Sequence, residues 1–228
     1  MKFISAIKAE RAITQLLAAP DIKSPNAQKA INSLIKAGSG AIAVLIDAFA
    51  TANRHQKAEI IDVLASQISD NNFSEVAKGL SHPNERCVEG TSSALTKATN
   101  YTASKLLDVI LDDDVSKHAV LDAIQAHVDK LNIRDLLTVA YQVEAKEKSS
   151  IFKMVDEKAK EDFVPEMLSR LTGRDHAARV HLIGILSRFD RTDVVEALKK
   201  LLKDSNRLVR GAALRAIGKI NSEQNIGL

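Results

Sequence analysis

The sequence predicts an all-α protein in which about seven helical hairpins stack into a solenoid. Three observations support this prediction. Apolar residues recur at steps of three and four, segments with this pattern return about every 30 residues, and strand-like alternation of apolar and polar residues is nearly absent. A repeat of this length is typical of solenoids, in which each hairpin buries its apolar stripe only by stacking on its neighbours.

The clearest hairpin lies close to the end of the sequence. Between Asn206 and Ile220 the apolar residues fall on one helical stripe, and the stretch from Asp193 to Lys203 carries a stripe of its own. The residues between these stretches, from Asp204 to Asn206, are of the kind that caps helix N-termini. This pattern predicts two helices joined by a short turn.

Segments of the same kind return at a steady interval along the chain. The second helix of each hairpin is predicted to begin near Asn26, His55, Glu85, Ser116, Glu147, His176 and Asn206. We therefore expect one repeat domain over residues 1–228. Its hairpins are predicted at roughly 1–38, 39–69, 70–99, 100–131, 132–158, 159–190 and 191–221.

The segment Leu202 to Ile220, LKDSNRLVRGAALRAIGKI, resembles a HEAT repeat of the short bacterial type. The positions that carry the resemblance are Asp204, Val209, Arg210, Ala212, Ala213, Leu214 and Ile217. A weaker copy, Leu171 to Phe189, places Arg179 thirty-one residues before Arg210. The resemblance implies a right-handed, armadillo-like superhelix along the whole chain. It also implies a non-catalytic scaffold for protein–protein interaction, which we expect to be the N-terminal fragment of a longer signalling protein.

Charge is distributed unevenly along the chain. The net charge is only +3, but the stretch from Glu166 to Ile220 holds twelve Lys or Arg against six Asp or Glu. Such an excess can attract a partner protein with an acidic surface. Nucleic acid is disfavoured as a partner, because the chain has no Trp and only two Tyr for stacking on bases.

Two arginines at equivalent repeat positions, Arg179 and Arg210, are the central candidates for binding. They could form a ladder that faces an anion, or each could pair with an acidic residue of an adjoining turn, Asp175 or Asp204. Arg174, Arg207 and Arg215 could enlarge the basic surface, or they could lie on an ordinary solvated face.

The sequence offers no pattern that indicates catalysis, a metal or a cofactor. Asp112, Asp113 and Asp114 are consecutive and lack the spacing of a calcium loop, so helix capping explains them better. The single cysteine, Cys87, lies in no nucleophile motif, and the histidines do not have ligand spacing. We therefore expect a protein that is not an enzyme and that is cytoplasmic, monomeric and not bound to a membrane.

Two enzyme classes with similar superhelices remain as alternatives. Alkylpurine DNA glycosylases are one, although their Trp and Tyr contacts to DNA have few counterparts here. Phycobilin lyases are the other, and they share repeats of this kind. Either alternative would make the chain an enzyme or a nucleic-acid binder rather than a scaffold.

Overall fold

The structure is a computed structural model that describes the backbone of residues 2–226 and the side chains of residues 5–221. It contains helices and no strand over the described residues, so the prediction of an all-α fold is confirmed. The chain divides into two compact units, unit 1 (Met1–Lys130) and unit 2 (Leu131–Leu228), and each is described by itself. The expectation of a single domain stays a prediction.

Unit 1 consists of four helical hairpins. Its helices are α1 (Lys2–Ala18), α2 (Pro25–Ala37), α3 (Ile42–Ala48), α4 (Arg54–Gln67), α5 (Phe73–Ala77), α6 (Glu85–Lys97), α7 (Lys105–Val109) and α8 (Lys117–Ala126). The first helix of the later hairpins is short. In the hairpin of α5 and α6, it continues as a 3₁₀ turn at Lys78–Ser81.

Unit 2 consists of three further hairpins. Its helices are α9 (Ile133–Ala140), α10 (Ala145–Lys158), α11 (Val164–Ser169), α12 (His176–Leu186), α13 (Thr192–Leu201) and α14 (Arg207–Ile226). The second helices of these hairpins, α10, α12 and α14, pack on one another in sequence order. In both units, the second helices begin within two residues of the predicted positions.

Side-chain caps explain why the second helices begin where they do. Asn53 accepts hydrogen bonds from the N–H groups of His55 and Gln56, and the Gln56 side chain accepts one from the Asn53 N–H. In unit 2, Asp175 accepts from the N–H of Ala178 at 2.9 Å, and Asn206 accepts from Leu208. These side chains satisfy N–H groups that have no partner inside the helix, so the turn sequence fixes each helix start.

Polar side chains also connect consecutive hairpins within each unit. The Gln56 amide donates to the carbonyls of Leu16 and Leu17, at the end of α1. The buried His127 ring contacts the Leu95 carbonyl, near the end of α6, at 2.8 Å. Carbonyl groups at helix ends lack partners within their own helix, so a side chain from the following repeat satisfies them and couples helix termination to stacking.

Candidate functional site

The turns of unit 2 bring several cationic side chains to one edge. Because α10, α12 and α14 occupy the same place in consecutive hairpins, their N-termini lie on the same edge of the unit. Arg174 lies in the turn before α12, Lys203 in the turn before α14, and Arg207 is the first residue of α14. All three are exposed, and Leu208 beside them is 68% exposed. We call these four residues the cationic edge.

The acidic residues of the same turns face inward. The Asp175 carboxylate accepts a hydrogen bond from the Lys148 ammonium group of the preceding hairpin. The Asp204 carboxylate accepts one from the Arg179 guanidinium in the same way. Each acidic side chain therefore joins two hairpins and does not neutralise the arginine that lies next to it in the turn.

The pKa values of both carboxyl groups reflect these contacts. Burial by itself would raise the pKa of Asp175, but the Ala178 N–H and Lys148 outweigh it and hold the pKa below its ordinary value. The Asn206 N–H lowers the pKa of Asp204 most, burial opposes that effect, and Arg179 lowers it further. Both groups are therefore ionised at neutral pH and are committed to structural ion pairs.

The hypothesis that Arg179 contacts a partner does not agree with its position. Arg179 is only 8% exposed and its guanidinium bonds to Asp204 of the next hairpin and contacts the His176 ring at 3.3 Å. The structure therefore corrects the binding role that the sequence suggested for this residue. The alternative, a pairing that fixes the stacking of repeats, agrees with the geometry, because the guanidinium is not available to another molecule.

Arg210 occupies the equivalent place on α14 but has a different set of contacts. Its guanidinium donates to the carbonyls of Asp204 at 2.8 Å and Ser205 at 2.9 Å. Among the residues whose side chains are described, it has no acidic partner. Arg210 therefore caps its own turn and is half-exposed, so the predicted ladder of two anion-binding arginines does not form.

The other three predicted arginines have exposed guanidinium groups. Arg174, Arg207 and Arg215 have neither a hydrogen bond nor an ion pair within the described side chains, residues 5–221. Arg174 and Arg207 lie on neighbouring turns. Arg215 lies further along α14, in a groove of about 290 Å³ whose opposite wall includes Ile183 of α12 and Ser187, which directly follows α12. The structure thus separates Arg215 from the cationic edge.

Sequence reasoning missed two cationic features. Lys148 lies thirty-one residues before Arg179, so the repeat interval could have identified it as a member of the same set. The other feature is a groove of about 550 Å³ between α1 and α2, with Lys8, Arg11 and Lys36 among its lining residues. Counting charges over residues 1–37 would have indicated it, since this stretch holds six Lys or Arg against two Asp or Glu.

The other residues considered from the sequence, the three consecutive aspartates and Cys87, have contacts that indicate a structural role. Asp112 accepts a hydrogen bond from the Asp114 N–H at 3.1 Å, which is a local turn contact. Cys87 is buried, and burial raises the pKa of its thiol, which lowers its reactivity. Within the described part of the chain, no group of three or more His, Cys, Asp or Glu side chains is arranged to hold a metal ion.

Comparison with known proteins yields one structural neighbour of note. No curated protein sequence matches this chain. The structure is similar to human deoxyhypusine hydroxylase in complex with glycerol, with 15% sequence identity and a TM-score of 0.44 over 96% of this chain and 98% of that chain. Since that protein is by its name an enzyme, our expectation of a non-catalytic scaffold is corrected and is not retained. At this identity and TM-score, the likeness assigns neither a reaction nor a substrate to the present chain.

The family comparison concerns the C-terminal hairpins. Residues 164–226 match the family model of HEAT repeats. This range contains α11 to α14, including the segment whose motif resembled a HEAT repeat and the turns that carry the cationic edge. The hairpins between residues 164 and 226 are therefore HEAT repeats.

Proposed function

We propose that unit 2 binds an acidic segment of another protein through the cationic edge. The observation that carries this proposal is the pair of exposed arginines, Arg174 and Arg207, beside the exposed Leu208, with no acidic partner for either guanidinium among residues 5–221. Guanidinium groups bind carboxylates through two parallel hydrogen bonds, and an apolar side chain can anchor the contact.

The electrostatics of the edge support an anionic ligand. Asp175 and Asp204 are engaged with Lys148 and Arg179, so the cationic charge of Arg174 is not cancelled locally. The N-termini of α12 and α14 lie on the same edge, and the helix dipole adds positive potential there.

A protein fits this edge better than nucleic acid does. An exposed leucine that follows Arg207 suits a segment that mixes acidic and apolar side chains, whereas single-stranded nucleic acid requires aromatic platforms for its bases. Tyr101 is buried, and the Tyr141 hydroxyl is also buried, so neither tyrosine offers such a platform.

We also infer that the protein works in the cytoplasm. Its one cysteine is buried and free, as is usual in a reducing compartment. By length and composition alone, the stretch Pro25–Ala48, with a mean hydropathy of 1.3, qualifies as a membrane span. The structure divides that stretch between α2, a 3₁₀ turn at Gly38–Ala41 and α3, and is compatible with a soluble protein.

Charge reversal on the cationic edge tests the proposal. The probe is a fluorescent peptide of Glu, Asp and Leu, and its affinity is measured by anisotropy at several salt concentrations. We expect the variant with Arg174→Glu and Arg207→Glu to bind at least about tenfold more weakly, because two charge-assisted contacts become repulsive. Leu208→Ala should weaken binding without changing its dependence on salt, because it removes only the apolar anchor.

A variant of equal charge serves as the control. Lys29→Glu with Arg54→Glu changes the net charge by the same amount, at exposed positions on α2 and α4 of unit 1. We expect this control to bind the peptide nearly as well as the unaltered chain. Equal weakening in both double variants would show that only the overall charge matters, and tighter binding of a single-stranded oligonucleotide than of the peptide would overturn the choice of partner.

A further inference from the structure

Three residues at the same repeat position in unit 2 differ sharply in exposure. Phe152, Ile183 and Leu214 are spaced thirty-one residues apart on α10, α12 and α14. The first two are 2% and 1% exposed, whereas Leu214 is 64% exposed. Phe152 stacks on His181 of the following hairpin, and Ile183 lies beside the α14 residues Ala212 and Ala216. In α10 and α12, this position is therefore buried against the following hairpin.

A second repeat position shows the same change. Ala140, Leu171 and Leu202 are also thirty-one residues apart, and they are 0%, 3% and 38% exposed. Leu202 comes directly after α13, as Leu171 comes after α11. Leu202 and Leu214 are thus both exposed, whereas their counterparts in the earlier hairpins of unit 2 are covered. We call Leu202, Arg210 and Leu214 the end face.

The basic residues at one equivalent position of the three hairpins show the same difference between the first two hairpins and the third. Lys148 binds Asp175 in the turn of the next hairpin, and Arg179 binds Asp204 in the turn after that. Arg210 is next in this series, and it donates only to carbonyl oxygens of its own turn. The end face thus combines an uncovered apolar pair with a guanidinium at the position where its two predecessors bind an aspartate.

We propose that the end face binds a helical hairpin that has an apolar stripe and an acidic residue in its turn. Apolar packing and an ion pair to an aspartate are the contacts that the two preceding hairpins make with the hairpin that follows each of them. The same contacts therefore indicate which kind of segment would bind the end face. The apolar stripe would cover Leu202 and Leu214, and the acidic residue would receive the Arg210 guanidinium. The site is independent of the acidic segment proposed for the cationic edge.

Charge argues against a second copy of this chain as the occupant. The hairpin of α1 and α2 has an open groove lined by Lys8, Arg11 and Lys36. If this groove met the end face, these cations would oppose Arg210 and Arg215. Like charges in apposition disfavour association, so a hairpin with an acidic turn is the better match.

A duplication of the last hairpin tests the end face directly. A variant of the full chain carries a second copy of residues 190–220 inserted after Ile220, which preserves the repeat interval. Leu214→Glu is then introduced into the first copy, and into the unaltered chain for comparison. We expect the substitution to lower the Tm of the duplicated protein by about 4 °C or more, because it would bury a carboxylate under the added hairpin.

In the unaltered chain the same substitution should shift the Tm by less than about 1 °C, since Leu214 is exposed there. Leu208→Glu is the matched control, because Leu208 is equally exposed but lies on the cationic edge; it should have a small effect in both proteins. Equal effects of Leu214→Glu in both proteins would overturn the proposal. Sedimentation of the unaltered chain provides a second test, and self-association abolished by Leu214→Glu would contradict the choice of occupant.

Discussion

At the scale of single residues, the packing of Gly90 against Phe49 shows how closely the helices of unit 1 approach each other. Phe49 is fully buried at the end of α3, and Gly90 lies on α6. A Cβ atom added at Gly90 would lie 2.4 Å from the Phe49 ring, which is too close for two carbon atoms that are not bonded to each other. The absence of a side chain at Gly90 therefore permits the aromatic ring to fill the space between the two helices.

Gly90→Ala should destabilise the protein by about 1–3 kcal/mol, because a rigid buried ring has to move to admit the methyl group. Gly184→Ala is the matched control, since Gly184 is also helical and a Cβ added there meets no atom within 4 Å. The control should stabilise the protein by about 0.5–1 kcal/mol, because alanine favours helix. Urea denaturation measures both values, and a neutral Gly90→Ala would contradict the close contact.

At the scale of helices, α10 and α12 each use one basic residue near the N-terminus to hold the next hairpin. The side chains of Arg179 and Asp204 are only 9% and 11% exposed, so the loss of one leaves the other charged and poorly hydrated. Arg210 has the same place on α14 but bonds only to neutral carbonyl oxygens. The same residue type at the same repeat position therefore contributes differently to stability.

Arg179→Met should lower the free energy of unfolding by about 2 kcal/mol, because Asp204 loses its partner while staying largely enclosed. Arg210→Met should lower it by less than about 1 kcal/mol, since only hydrogen bonds to carbonyl groups are lost. Both values come from denaturant titrations followed by circular dichroism. If both variants lost the same stability, the distinction between ion pair and turn cap would be wrong.

At the scale of the whole molecule, the distribution of charge is more informative than its sum. Residues 1–37 hold six cationic against two acidic residues, residues 38–165 hold fourteen against twenty, and residues 166–220 hold twelve against six. Cations thus concentrate in the first hairpin and in the last two, with an acidic stretch between them. When residues 1–165 are counted together, the acidic stretch cancels the cationic excess of residues 1–37, and only the C-terminal excess is visible.

Stability of the whole chain should depend on pH through His181, which stacks on Phe152 with ring centroids 4.9 Å apart. Burial holds the pKa of His181 below its ordinary value of 6.5, the nearby Lys148 lowers it further, and Asp175 opposes them. The unfolded chain consequently binds the proton more readily than the folded chain does. The stabilisation is therefore complete above pH 6.5 and declines as the pH falls below that value.

We expect the unfolding free energy to decline as the pH falls below 6.5. His181→Phe should keep the ring stack and remove this part of the decline, whereas His118→Gln, at an exposed site, should not. Denaturant titrations at several pH values measure the effect. An identical decline in the His181→Phe variant would assign it to other groups.

The sequence by itself determined the helices and their order. Apolar spacing and capping residues such as Asn53, Asp175 and Asn206 act within a few residues, so they can be interpreted without knowledge of the neighbours. The repeat interval also identified Arg179 and Arg210 as equivalent. It could not show that one is buried against an aspartate and the other caps its own turn.

Only the tertiary structure decided which side chains are available to a partner. Arg174 and Arg179 are both arginines of the same hairpin, yet one is exposed and the other lies in an ion pair with the next hairpin. Ile183 and Leu214 have the same place in the repeat, and only Leu214 is uncovered. Burial depends on the hairpin that stacks against a residue, and that contact joins positions about 25 to 35 residues apart, beyond the reach of local sequence patterns.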